Sequence, residues 1–67
     1  MKFELKDEYI ELFKLLKVLA LVNSGAQAKM LVSDGYVKRN DVVELRKRAK
    51  IVSGDIIKVA DVTIEVV

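Results

Sequence analysis

The sequence predicts a small α+β domain in which two helices pack against an antiparallel sheet of about four to five strands. Three observations predict it. Apolar residues recur with helical spacing between Tyr9 and Val18, a second helix is bracketed by Ser24 and Gly35, and apolar runs with strand character alternate with turn residues from Tyr36 to Val66. The 67 residues form one domain, residues 1–67, near the size at which a single core only just offsets chain entropy. With 52% hydrophobic and 33% charged residues, the composition is that of a folded domain rather than a disordered tail.

In chain order, Phe3-Glu4-Leu5 alternates and suits a short strand. Asp7 and Glu8 stand where a helix is expected to begin, favourable beside the positive end of its dipole. Tyr9, Ile10, Leu12, Phe13, Leu15, Leu16 and Val18 give this helix a broad apolar face, with Tyr9 and Phe13 expected in the core and Glu11, Lys14 and Lys17 outside. It is expected to end near Val18 or Leu19, with Ala20 to Asn23 connecting onward. Ser24 is an N-cap residue, and Gln27 can reach back to the Ser24 backbone amide, the reciprocal pairing of a capping box. Ala28, Leu31 and Val32 share one face of this second helix, and Gly35 suits the left-handed position after its last turn. Tyr36 to Arg39, the turn Asn40-Asp41 and Val42 to Leu45 then read as a hairpin. After Arg46-Lys47-Arg48-Ala49-Lys50, the chain runs through Ile51-Val52, the turn Ser53-Gly54-Asp55, Ile56 to Val59, the turn Ala60-Asp61 and the alternating Val62 to Val66.

The chain has no cysteine and no histidine, which removes disulfides and the usual zinc ligands and leans toward a reducing, cytoplasmic setting. Its longest apolar run, Val18 to Val22, is five residues, against about 20 needed to span a bilayer. Neither a membrane partner nor a cofactor is expected. Without a glycine-rich phosphate loop or enough chain for a substrate pocket beside a core, catalysis and small-molecule turnover are not expected either. The net charge is only +2, but it is unevenly placed: Tyr36 to Lys50 holds six bases and two acids, whereas the segments before it are neutral and Ile51 to Val67 is acidic. A localised basic patch on a nearly neutral protein suits a polyanion.

Taken together, Ser24-Gly25-Ala26-Gln27-Ala28-Lys29, Gly35-Tyr36-Val37-Lys38, the Asn40 turn, Glu44, Arg46-Lys47-Arg48-Ala49-Lys50 and Gly54-Asp55-Ile56 resemble the RNA-binding domain named after ribosomal protein S4. The likeness is greatest to its small stand-alone bacterial members of the YbcJ/YaaA kind, and the core motif spans about residues 12–59. The resemblance implies the αL motif, in which two helices and the following hairpin face a structured RNA, commonly ribosomal RNA or the ribosome. Carried over by position, the RNA face comprises Ser24, Gly25, Gln27, Lys29, Lys38, Arg39, Asn40, Arg46, Lys47, Arg48 and Lys50. Three positions depart from the family pattern. Gly25 stands where many members have arginine, Asp41 replaces the common turn glycine, and Arg39 stands where a valine would point into the sheet, so that it either weakens the inner face or adds an RNA contact.

These residues suit RNA for physical reasons. A helix N-terminus offers unpaired amides to phosphate, and arginine can bind phosphate bidentately or stack on a base. If Arg46 to Lys50 were extended, Arg46 and Arg48 would point away from Lys47, so all of them can serve only if the segment curls. Two other readings compete: a protein-interaction module whose basic patch docks an acidic partner, and a small winged helix-turn-helix placing Gln27 and Lys29 in a DNA groove. The short second helix, poor in long polar side chains, argues against the latter.

Overall fold

A computed structural model describes all residues, Met1–Val67. The elements are β1 (Lys2–Phe3), β2 (Ile10–Glu11), α1 (Leu12–Val18), α2 (Gly25–Ser33), β3 (Val37–Arg39), β4 (Val42–Val43), β5 (Lys50–Ile51), β6 (Ile56–Val59) and β7 (Val62–Val66). Five strands form one sheet in the order β1-β7-β6-β3-β4, and β2 pairs with β5 in a separate two-stranded ladder. The expected antiparallel sheet is therefore mixed, because β1 joins β7 in parallel while the other neighbours are antiparallel.

Helical spacing builds the helical half of the core. Leu12, Leu15 and Leu16 of α1 are fully buried and meet Ala28 and Val32 of α2. Strand alternation builds the other half: Val37, Ile57, Val59, Ile64 and Val66 point inward, while Lys38, Lys58, Thr63 and Glu65 lie on the outer face. Ile51 and Ala49 close the core from the side of the small ladder.

The first helix begins later than its apolar periodicity suggests. Ile10 and Glu11 are taken into the ladder opposite Ile51 and Lys50, and Asp7 and Glu8 lie ahead of it as exposed chain rather than as a helix cap. Glu11, the residue before the helix, makes no side-chain cap bond. Instead the amides of Leu12 and Phe13 donate to the carbonyls of Ala49 and Lys47, at 3.0 Å each. A backbone segment from far along the chain thus satisfies two of the donors that every helix start leaves open. The later start also moves Tyr9 out of the core; with Val18 it is exposed, whereas Phe13 is half-buried.

Both helices end in the same way. After α2 the Tyr36 amide donates to Leu31 O and the Gly35 amide to Val32 O, with Gly35 at φ +82°; this paired arrangement needs a left-handed residue. After α1 the Leu21 amide donates to Leu16 O and the Ala20 amide to Lys17 O, and here the left-handed residue is Ala20, at φ 58°. An L-residue with a Cβ is disfavoured in that conformation by about 1 kcal/mol or more. Replacing Ala20 by glycine is therefore expected to stabilise the domain by about 0.5 to 1 kcal/mol, less the extra flexibility glycine brings to the unfolded chain. A chemical denaturation midpoint that moves to higher denaturant, with an unchanged slope, would show it.

Candidate nucleic-acid interface

The basic segment is not extended. The Ala49 amide donates to Arg46 O at 3.1 Å, so Arg46 to Ala49 form a turn, and the carbonyls of Lys47 and Ala49 point back to α1. Their side chains are thereby thrown outward around a curl instead of alternating between two faces. The side chain of Arg48 reaches Glu11 at 3.2 Å. Glu11 also pairs with Lys14 at 3.1 Å, and the hydrogen bond from Lys14 is the main cause holding its carboxyl below the ordinary range.

The half-buried ring of Phe13 is where the helical and basic parts of the site meet. Lys29 Nζ lies 4.8 Å from the ring centroid and the Arg48 guanidinium 5.3 Å, distances at which cations are attracted to the face of an aromatic ring. A Cβ at Gly25 would meet the same ring at 3.9 Å. The bare side of Gly25 therefore faces Phe13, at a distance where a Cβ would make ordinary van der Waals contact. The start of α2, Lys29 and Arg48 are gathered round one ring. Beside them, Arg39, Arg46, Arg48, Ala49 and Lys50 line a hollow of about 380 Å³ that contains no acid.

The capping groups serve the helix itself. Ser24 Oγ accepts from the Gln27 amide at 3.2 Å, and Gln27 Oε1 accepts from the Asn23 amide at 2.8 Å rather than from that of Ser24. The amides of Gly25 and Ala26 belong to the first turn and have no intrahelical acceptor.

The hairpin residues are placed otherwise than expected. Asn40 and Asp41 both have positive φ, 51° and 70°, the type I′ geometry that matches strand twist in a two-residue hairpin loop. The Asn40 side chain donates to Asp55 Oδ1 at 3.0 Å and accepts from the Ile56 amide at 2.8 Å. Arg39 Nη2 donates to Asp55 Oδ2 at 2.8 Å and to Lys50 O at 2.9 Å, with Nε also on Asp55. Arg39 and Asn40, carried over as RNA contacts, thus spend these hydrogen-bonding groups on bonds within the domain. Arg39 lends the hollow its charge but not a free fork. Nor is Lys38 part of the group: it lies across from Lys58 on the outer face of the sheet, where Asp41 pairs with Lys58 at 2.9 Å.

Acids also tune the group. Glu44 binds Arg46 through both carboxylate oxygens, and this hydrogen bond, against the effect of burial, holds its carboxyl below the ordinary value. The sequence gives no sign of the meeting of Glu11 and Phe13 with Arg48, or of Phe13 with Lys29, because these partners lie some distance away along the chain. Tyr9, read as a core residue, carries Lys50 Nζ 5.0 Å above its ring.

A two-helix domain on a mixed sheet, with a cationic hollow whose Arg48 shares the Phe13 ring with the start of the second helix, defines a small polyanion-binding module. Residues 3–67 match the S4 domain, and the chain belongs to that family. It is 44% identical over 62 residues to the "Putative RNA-binding protein YbcJ" of Escherichia coli (strain K12), covering 92% of this chain and 89% of that protein. The YbcJ protein of Shigella flexneri matches to the same extent. The solution structure of the Escherichia coli protein, described as revealing an αL motif involved in RNA binding, superposes with a TM-score of 0.75 at 43% identity, covering 98% of this chain and 85% of that one. The fold is that αL arrangement.

Asp55 couples the hairpin to the rest of the site. Burial alone would raise its carboxyl, but hydrogen bonds from the Val52 backbone amide, the Asn40 side chain and the Arg39 guanidinium outweigh it and hold the carboxyl below its ordinary value. A carboxyl whose folded value is depressed contributes stability that is fully present above its unfolded value and is lost as pH falls through the folded one. Asp55→Asn is accordingly expected to lower stability by about 2 kcal/mol at neutral pH, since it takes from Arg39 the nearer of its two carboxylates. The difference from wild type should narrow below about pH 4 as the wild-type carboxyl protonates. Urea denaturation of both proteins at neutral and acid pH measures it.

Proposed function

We propose that the chain is a non-catalytic RNA-binding protein that recognises a structured RNA, with ribosomal RNA as the class of target. The observation that carries this reading is the gathering of Lys29, Arg48 and the start of α2 round Phe13, next to the acid-free hollow of Arg46, Arg48 and Lys50. The RNA-binding description of the YbcJ relatives supports it independently.

In this reading the phosphates of one strand run past the curl. Arg46 and Arg48 offer phosphate oxygens the guanidinium edges that Glu44 and Glu11 leave open, and Lys29, Lys47 and Lys50 add point charges. The free amides of Gly25 and Ala26, at the positive end of the α2 dipole, hold a further oxygen. The hollow is too small to read base edges along a duplex, and an A-form helix offers shape and 2′-hydroxyls more readily than sequence. Recognition is then of RNA shape, as folded ribosomal RNA provides. A protein partner is a second reading, favoured by one observation: exposed Tyr36, Val43 and Leu45 cluster near Gly35 at the β4 edge of the sheet. Such a partner would stay bound in nuclease-treated extract.

Changing Arg46, Lys47 and Arg48 together to alanine should weaken binding to hairpin RNA while leaving the thermal midpoint nearly unchanged, because the segment is anchored through backbone carbonyls. For the wild type, about five phosphate contacts predict a slope of log affinity against log salt of roughly −3.5 to −4.5, and the triple variant should flatten it by about two to three. Filter binding over a salt series tests both; an unchanged slope would remove this face from the proposal. Duplex DNA that outcompetes hairpin RNA at equal salt would point to a DNA ligand instead.

A further inference from the structure

Arg48 and Lys50 form a ridge between two hollows of different chemistry. On one side is the acid-free cavity of about 380 Å³. On the other, an open groove of about 800 Å³ runs along α1, bordered by Tyr9, Ile10, Phe13 and Val18. The two aromatic rings of the groove are the ones that the ridge touches: Lys50 lies over Tyr9, and Arg48 over Phe13. Tyr9 is 42% exposed although the chain has only four aromatic residues by count of two Tyr and two Phe.

The groove is unsuited to a phosphate, because Asp7 and Glu11 also line it. A nucleobase fits that lining better. It is uncharged, its flat face stacks on aromatic side chains, and its amino hydrogens can be donated to a carboxylate, whereas the single N–H edge of uracil is flanked by two carbonyl oxygens that a carboxylate repels. Glu11 is occupied by Lys14 and Arg48, which leaves Asp7 as the acceptor. Lys17, on the same helix, has a long stem that can turn its charge outward toward backbone phosphate. One nucleotide can therefore set its phosphate on Arg48 and Lys50 and its base in the groove.

We propose that the groove between Tyr9 and Phe13 is a subsite for a single unpaired base of the bound RNA, and that it favours a base bearing an exocyclic amino group, such as adenine, over uracil. The proposal rests on the RNA reading and extends it from shape to one base. In an A-form duplex the faces of the bases are covered by their neighbours, so the base comes from a bulge, a loop or a single-stranded end.

The test uses a synthetic RNA hairpin in three forms at low salt: blunt, with a short unpaired adenosine extension, and with a uridine extension of equal length. Dissociation constants are measured by fluorescence anisotropy for the wild type, Tyr9→Ala, Tyr9→Phe and Asp7→Asn, with circular dichroism melts to establish that each is folded. The adenosine extension should tighten wild-type binding about tenfold over the blunt hairpin, the worth of one stacked base. Tyr9→Ala should lose that gain and keep its affinity for the blunt form, Tyr9→Phe should retain the gain, and Asp7→Asn should bind the two extensions alike. No gain from either extension, or a full gain in Tyr9→Ala, overturns the subsite while leaving RNA binding intact. A wild type that binds none of the three hairpins overturns the RNA reading and the subsite with it.

Discussion

Two backbone carbonyls, those of Lys47 and Ala49, accept the first amides of α1, and the organisation of the cationic face depends on that exchange. A helix start needs acceptors, and a cation-rich loop needs something to hold its backbone against the repulsion of its own side chains. Each meets the need of the other. The ladder of Ile10 and Glu11 with Ile51 and Lys50 extends the attachment by two residues on each side, and the burial of Ile51 and Ala49 ties it to the core. Charge is therefore presented by a loop whose backbone is anchored independently of the ion pairs that Arg46 and Arg48 make with Glu44 and Glu11.

Asp55 plays the corresponding part at the other end of the segment. Its carboxylate gathers the Val52 amide, the Arg39 guanidinium and the Asn40 side chain, while its backbone oxygen receives the Val66 amide. Buried polar groups are stable when every member is bonded, and here none of the buried side-chain nitrogen or oxygen atoms is left without a partner. The arginine in place of an inward valine is accommodated because Asp55 and Glu44 both face it. That is why Arg39 neither weakens the sheet nor reaches out from it.

Features governed by near neighbours in sequence could be read from the sequence directly. The cap at Ser24, the end of α2 at Gly35, the Asn40-Asp41 turn and the alternation of Val62 to Val66 each depend on residues within a few positions. The late start of α1 could not, because Ile10 and Glu11 are helix-compatible and leave the helix only to pair with residues about 40 positions away. The same reason hid the exposure of Tyr9 and the meeting of Lys29 with Arg48 over Phe13. The basic run and the family likeness pointed to the segment that curls beside Phe13, but side-chain parity along β3 assigned Lys38 to the other face of the sheet, and the side chains of Arg39 and Asn40 are taken up by bonds within the domain.

The sheet has one more property that follows from its outermost strands. β1 and β4 are each only two residues long, although β4 exposes both of its valines. A border that short presents too few unpaired amides and carbonyls to template the addition of a foreign strand, so brevity at both margins guards a valine-rich sheet against ribbon-like self-assembly.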